Sequence, residues 1–209
     1  MSLLDLLFPP RCAGCGAYGA AWCPTCAGSL RPLAASTLAG IPLVAAGRFE
    51  GPLQQAIHTY KYRPRPQLAA ALARPLRQAL LATNLSLPAL TFVPLHPRRQ
   101  RQRGFIQAGR LAAELSSALG IPLRQGMTRV RATPAQVGLS QAERRANLKG
   151  AFRWTGAEPP GRGLGLVDDV CTTGATLAAA AEAVAEAGGS IGAFLVLAVA
   201  QTLPALTVT

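Results

Sequence analysis

Residues 167–176 read VDDVCTTGAT, and this stretch decides the fold. It sets two carboxylates side by side, Asp168 and Asp169, in a chain with only nine acidic residues. Ahead of it, GLGLV (163–167) is an apolar run of strand length. Behind it, TLAAAAEAVAEAGG predicts a helix from about Thr176 that stops at the pair Gly188 and Gly189. SIGAFLVLAVA then reads as a second buried strand. Strand, helix, strand is a βαβ unit, which implies a parallel sheet and a right-handed crossover. The stretch therefore falls at the carboxyl end of a parallel strand and the amino end of a helix, the edge where open α/β sheets take ligands.

Its chemistry follows from that place. Successive backbone N–H groups of Thr172, Thr173, Gly174 and Ala175 would face an anion, and the helix dipole would favour it. The hydroxyls of Thr172, Thr173 and Thr176 add donors, and Gly174 lets the backbone approach closely. Together they form a phosphate cradle. The loop has neither the lysine of a P-loop nor the pattern G-x-G-x-x-G, which argues against a nucleoside triphosphatase or a dinucleotide site. Asp168 and Asp169 stand just ahead of the cradle. That spacing suits a sugar, with ribose hydroxyls donating to the carboxylates while the loop holds a 5′-phosphate. An acid pair that merely caps a strand end is the alternative.

Moving outward, 209 residues suffice for one α/β domain and a small extra module, and at 50% hydrophobic content the chain can fill a sizeable core. The charge is lopsided: 21 basic residues against nine acidic, net +12. Lys61 and Lys149 are the only lysines. Arginine is the better fork for phosphate, so the surplus points to a polyanionic partner or a phosphorylated ligand. An arginine-rich solvated surface is the alternative. No run reaches the roughly 18 apolar residues of a membrane span. The opening MSLLDLLFPPRC lacks a basic region, so no secretory signal and no transmembrane segment are expected, and a cytoplasmic location follows as the expectation.

Cys12, Cys15, Cys23 and Cys26 form two C-x2-C pairs seven residues apart. Each pair on a tight turn aims two thiolates at one ion, and four thiolates suit a closed, structural Zn2+ site. Disulfide bonding is the alternative, disfavoured in a reducing compartment. A module of residues 1–35 is expected here, with Trp22 and Tyr18 packing it, followed by an α/β domain over residues 40–209.

In that domain, IPLVAAGRF (41–49) reads as a strand, residues 52–60 as a helix, and KYRPRP (61–66) as a break. An Ala/Leu-rich helix runs to about Leu80, and residues 89–93 form a buried strand. HPRRQRQRGF (96–105) carries four arginines. QAGRLAAELSSALG is an amphipathic helix ended by Gly120. MTRVRAT and AFRW are short strands on either side of a polar segment, residues 134–149.

VDDVCTTGAT resembles the phosphoribosyl-pyrophosphate (PRPP) motif of type I phosphoribosyltransferases. The wider pattern resembles the ComF family of competence-related, phosphoribosyltransferase-like proteins. That family runs from a cysteine knuckle through KYR, PLHPRR and RGF-Q to ERR-N-KG-F and the PRPP motif. Here these are residues 12–26, 61–63, 94–107, 143–152 and 167–176. The resemblance implies a type I phosphoribosyltransferase fold with an N-terminal four-cysteine zinc module. It implies that Asp168 and Asp169 bind the ribose with Mg2+ nearby, that Thr172, Thr173, Gly174, Ala175 and Thr176 hold the 5′-phosphate, and that His96, Arg98 and Arg99 meet the pyrophosphate. Residues 132–147 would close over the site as a hood, with Arg144 and Arg145 reaching phosphate. Two departures stand out: Ile106 where the family usually has Asn, and Cys171 where it often has Tyr.

Two functions are compatible with these residues. One is an enzyme that transfers a phosphoribosyl group from PRPP to an acceptor. The other is a non-catalytic protein that binds PRPP or single-stranded DNA within the competence machinery. The net charge favours DNA, and Tyr60, Tyr62 and Phe105 are the aromatic residues nearest basic ones for stacking bases. His58, on a helix ahead of KYR, is expected to be structural.

Overall fold

The computed structural model describes residues 9–31, 33, 36–62, 66–131, 147–200 and 206–208. The elements in chain order are α1 (Pro24–Gly28), β1 (Ser36–Leu38), β2 (Ile41–Arg48), α2 (Gly51–Tyr62), α3 (Pro66–Leu81), β3 (Leu90–Phe92) and α4 (Pro97–Arg103). They continue with α5 (Gln107–Leu119), β4 (Met127–Arg129), β5 (Phe152–Trp154), β6 (Leu164–Cys171), α6 (Ala175–Glu186), β7 (Ile191–Val199) and β8 (Leu206–Val208).

Among the described residues one sheet has the order β3-β6-β7-β2-β1-β8. The pairs β3–β6, β6–β7 and β7–β2 are parallel, whereas β1 pairs antiparallel with β2 and with β8. The βαβ unit is therefore β6–α6–β7, as its periodicity predicts. The apolar runs of β6 and β7 follow from their central place, since strands covered on both faces have no solvent side to make polar. Two apolar layers sandwich the sheet. On one face Leu68, Leu72 and Leu76 of α3 meet Leu111 and Leu115 of α5 and Ile57 of α2. On the other, Leu177, Ala180 and Val184 of α6 pack with Phe152 and Met127 of the antiparallel pair β4–β5. This α/β architecture with a parallel core is the expected fold class.

Three differences from the sequence reading have physical causes. The arginine-rich segment after β3, to which the sequence reading assigned no secondary structure, is helical. Its polar run has no apolar period to reveal a helix, but His96 caps it, with Nδ1 accepting from the Arg98 N–H at 3.3 Å. The strand of the quoted stretch does not stop at Val167 but runs on through both acids to Cys171. The sheet also extends past β2 by the short antiparallel strands β1 and β8, whose three residues each are too few to show a period. The proposed hood, including Arg144 and Arg145, lies outside the described residues apart from Asn147.

Candidate functional site

β6 carries the acids to the carboxyl edge of the sheet. Asp168 pairs in register with Val196 of β7 and shares its face, while the pleat turns Asp169 to the other. Their surroundings differ accordingly. Asp169 meets Lys61 at the end of α2, with Nζ 3.0 Å from Oδ1. Asp168 acts electrostatically on Arg129 of β4 and on Cys171. The Asp169 N–H donates to Asp168 Oδ1 at 2.8 Å. Burial and then the adjacent Asp169 charge push the Asp168 carboxyl up to about 7, against the pull of that N–H, Lys61 and Arg129.

β3 lies beside β6, and the Val93 N–H donates to the Val167 carbonyl at 3.0 Å, so the two strands leave the sheet together. The chain from β3 passes through Pro94 and Leu95 to His96 and α4. Arg98 is exposed and Arg99 half-buried. Arg99 approaches Arg129, whose guanidinium is lowered by burial and by the Arg99 charge and raised by Asp168. Two motifs far apart in sequence, PLHPRR and VDDVCTTGAT, thus meet at neighbouring strand ends.

Beyond Cys171 the loop of Thr172, Thr173 and Gly174 turns into α6. Gly174 is its amino cap at φ 76°, and Ala175 and Thr176 form the first turn. Thr173 Oγ1 accepts from the Ala175 N–H at 3.5 Å. A cleft of about 450 Å³ opens beside the loop, lined by Thr173, Gly174, Ala175, Leu38, Glu182 and Lys149 among others. Cys171 itself is buried, with its thiol pushed up to about 12 by burial and the Asp168 charge, so it offers no nucleophile to the loop.

The sequence reading placed Lys61 and Gln107 in the KYR and RGF-Q motifs but gave neither a role at the site. The Tyr60 hydroxyl donates to the Gln107 carbonyl at 2.8 Å, and Gln107 Nε2 donates to the Lys61 carbonyl at 3.3 Å. Together they fasten the end of α2 to the start of α5, with Tyr60 and Gln107 fully buried. Tyr60 is therefore excluded as a stacking platform, and its ring packs on Phe105 at 5.8 Å instead. Tyr62 stands exposed. His58 is exposed on α2 with its ring 5.9 Å from Phe49. The available signal for Lys61 was compositional: it is one of two lysines among 21 basic residues, and the other, Lys149, lines the cleft at the loop.

The cysteine set is a second site. The sulfurs of Cys12, Cys15, Cys23 and Cys26 all lie within 4.8 Å of one another. Cys12 and Cys26 are 3.7 Å apart, and Cys15 and Cys23 are 3.6 Å apart. Four sulfurs at about 2.3 Å from a tetrahedral centre stand about 3.8 Å apart, whereas a disulfide needs about 2.05 Å. The spacing fits one zinc ion. Backbone N–H groups of Gly14 and Cys23 point at the Cys12 sulfur, each at 3.4 Å. Burial raises the Cys12 thiol, but these N–H groups and that of Cys15 outweigh it and leave it at about 6. Cys26 is strongly raised by burial and the neighbouring sulfurs. Sulfurs this close cannot all ionise without a cation between them. Trp22 packs the module as expected, but Tyr18 does not: it is 61% exposed, with Arg11 over its ring at 4.3 Å. A Cβ on Gly14 would lie 2.7 Å from Trp22 and 2.9 Å from Pro52, so the module sits directly on the start of α2.

Residues 3–38 match the family described as the double zinc ribbon domain. The cysteines in that span make one tetrahedral set. The chain is 43% identical over 148 residues to the DNA utilization protein YhgH of Salmonella typhimurium, an alignment covering 67% of this chain and 64% of that one. It is 41% identical over 143 residues to competence protein F of Haemophilus influenzae, covering 65% and 62%. The matches thus span less than two thirds of the length of these curated relatives. A looser likeness is to the glutamine PRPP amidotransferase from B. subtilis, at 19% identity and a TM-score of 0.43, covering 67% of this chain and 30% of that one. Among the described residues no helix is long and apolar enough to cross a membrane. With its four-cysteine ribbon and its 41–43% identity over these spans, the chain is a homologue of the DNA utilization protein YhgH and of competence protein F.

Proposed function

We propose that the chain binds PRPP with Mg2+ and transfers its phosphoribosyl group to an acceptor, as a cytoplasmic ComF-type protein serving natural competence and DNA uptake. The meeting of the two motifs carries this reading. The acid pair and threonine loop end one parallel strand, and the His96–Arg99 segment ends its neighbour. In this reading Asp168 and Asp169 accept hydrogen bonds from ribose hydroxyls, and the N–H groups and hydroxyls of residues 172–176 hold the 5′-phosphate. Arg98 and Arg99 balance the negative charge that grows on departing pyrophosphate as the C1–O bond breaks. The donor set fits Mg2+: the acids offer hard carboxylate oxygens, and burial and then the adjacent Asp169 charge raise Asp168, a cost that a cation there would relieve. Bound there, Mg2+ would supply charge neutralisation at the diphosphate. The zinc module, residues 1–35, is structural in this reading, and residues 40–209 carry the chemistry. Incubation with PRPP, Mg2+ and a panel of bases tests it. Base-dependent release of pyrophosphate is expected, and no release with any base rejects the transfer.

A second reading, a non-catalytic PRPP- or DNA-binding role, draws support from the charge of +12 and from exposed Arg98 and Arg101 on α4. The relatives' names, DNA utilization protein and competence protein, point the same way. Single-strand affinity should then fall steeply with salt as counterions are released. It should also weaken in the variant Arg101→Gln, Arg103→Gln. PRPP retained without turnover would favour this reading over transfer.

A further inference from the structure

As folded, Asp169 already holds a cation. The Lys61 ammonium lies 3.0 Å from its carboxylate, and both side chains are largely shielded, at 22% and 14% exposure. The backbone under Lys61 is fixed, because its carbonyl accepts from Gln107 and its neighbour Tyr60 donates to the Gln107 carbonyl. The side chain above that fixed base is a flexible four-carbon stem ending in a compact charge. A divalent cation on the same carboxylate oxygen would sit about 2.1 Å from it. The ammonium and the metal would then face each other across one oxygen, and like charges that close repel strongly. The two compete for Asp169 Oδ1.

We propose that Lys61 is a resident counter-ion of the acid pair, one that a divalent cation must displace from Asp169. The inference rests on the reading of Asp168 and Asp169 as the ribose and Mg2+ site. The residue type supports it. This chain uses arginine for nearly all its positive charge, yet lysine stands here. Arginine would grip a carboxylate with two parallel hydrogen bonds and release it poorly, whereas a single ammonium can swing away. Lys61 thus holds the Asp169 carboxylate in place while leaving its oxygens available to a cation.

The test uses Mn2+ alone as the probe, titrated into the full-length, zinc-loaded protein without PRPP, with free Mn2+ followed by electron paramagnetic resonance. Lys61→Met should bind Mn2+ roughly tenfold more tightly than the parent, because a competitor is gone. Lys61→Arg should bind it more weakly than the parent. A merely structural ion pair would give lower thermal stability in Lys61→Met with unchanged Mn2+ affinity, and that result overturns the proposal. If Lys61→Met fails to fold, judged by zinc content and thermal transition, Lys61→Gln takes its place with the same expectation. Equal Mn2+ affinity in all variants, alongside PRPP binding by the parent, removes the counter-ion role alone. No binding of Mn2+ or of PRPP with Mg2+ by any folded variant removes both the counter-ion and the site reading beneath it.

Discussion

Leu38 packs so closely against Gly174 that a Cβ on the glycine would stand 2.6 Å from its side chain. Gly174 also has φ 76°, in the left-handed region where L side chains are strained. Strand β1 thereby buttresses the turn of the threonine loop. Gly174→Ala should cost about 2–4 kcal/mol from strain and overpacking together, which for a chain of this size lowers the melting temperature by roughly 5–12 °C. Leu38→Ala relieves the overpacking but costs about 2–5 kcal/mol of its own as a buried core truncation, so the double variant should lose less than the sum of the two single changes. A Gly174→Ala protein that melts with the parent would show that the loop does not need this turn.

Ile106 is the amino cap of α5 and makes no side-chain cap hydrogen bond. The asparagine usual at this position in the family would accept from an N–H in the first turn, so that residue reads as a helix cap. Ile106→Asn should stabilise the protein by about 0.5–1.5 kcal/mol, raising the melting temperature by roughly 1–5 °C. An unchanged or lower thermal transition would mean that the apolar contacts of half-buried Ile106 outweigh the cap.

The parts legible in the sequence were those with a local signature. The apolar runs of β6 and β7 and the alanine-rich α6 fixed the βαβ unit, and the paired C-x2-C spacing marked the metal set before any geometry was known. Helix α4 escaped because Pro97–Arg103 has no apolar face, and its cap is a histidine rather than the commoner serine or aspartate. The Lys61–Asp169 pair escaped because a contact between residues so far apart leaves no period to read. Tyr60 was misread for a related reason. Basic neighbours suggested a nucleic-acid surface, but its place on the inner face of α2 buries the ring and sends the hydroxyl to Gln107.

The zinc set should bind one zinc ion per chain. Metal analysis of purified protein should find this, and substoichiometric zinc with four reactive thiols would contradict it. Chelation should leave the sulfurs of Cys12, Cys15, Cys23 and Cys26 without the cation that lets them ionise together. The ribbon should then loosen, and with it the contact of Gly14 on Pro52 at the start of α2. The α/β sheet should keep its far-ultraviolet circular dichroism, because the buried side chains of its two apolar layers come from residues 38–199, with the ribbon's Ala13, Trp22 and Leu30 only packed against one of them.

Asp168 gives stability a definite pH dependence. Its carboxyl is raised from 3.8 to about 7, so the folded chain binds this proton more tightly than the unfolded chain. Where the folded state holds the extra proton, stability falls as pH rises. The contribution is fully present below the unfolded value and is lost as pH climbs through about 7. Asp168→Asn, which cannot ionise, should therefore be more stable than the parent at pH 8.5 by about 1–3 kcal/mol, with the gap narrowing at pH 6. Denaturation measured without Mg2+ or PRPP at both pH values checks this. A gap that widens toward pH 6 would reverse the sign and show that the folded protein favours the charged carboxylate.

Replacing both aspartates by asparagine tests the ribose clamp directly. The change keeps the shape of the strand end and removes both charges. Each hydrogen bond from a sugar hydroxyl to a charged acceptor contributes about 1.5–3 kcal/mol. Attraction for Mg2+ falls as well, since neutral amides replace its hard anionic ligands. PRPP affinity in the presence of Mg2+ should drop by about tenfold or more, because about 1.4 kcal/mol is a factor of ten. Lys61 loses its ionic partner in the double variant, so stability must be followed separately by thermal transition and zinc content. Asp169→Asn alone separates the two effects: it breaks the Lys61 pair yet leaves Asp168 as one charged acceptor, so its PRPP affinity should fall between parent and double variant. Calorimetry that finds the folded double variant binding PRPP as tightly as the parent would make the acids structural, and Asp168 and Asp169 would then serve only to anchor Lys61 and Arg129 at the edge of the sheet.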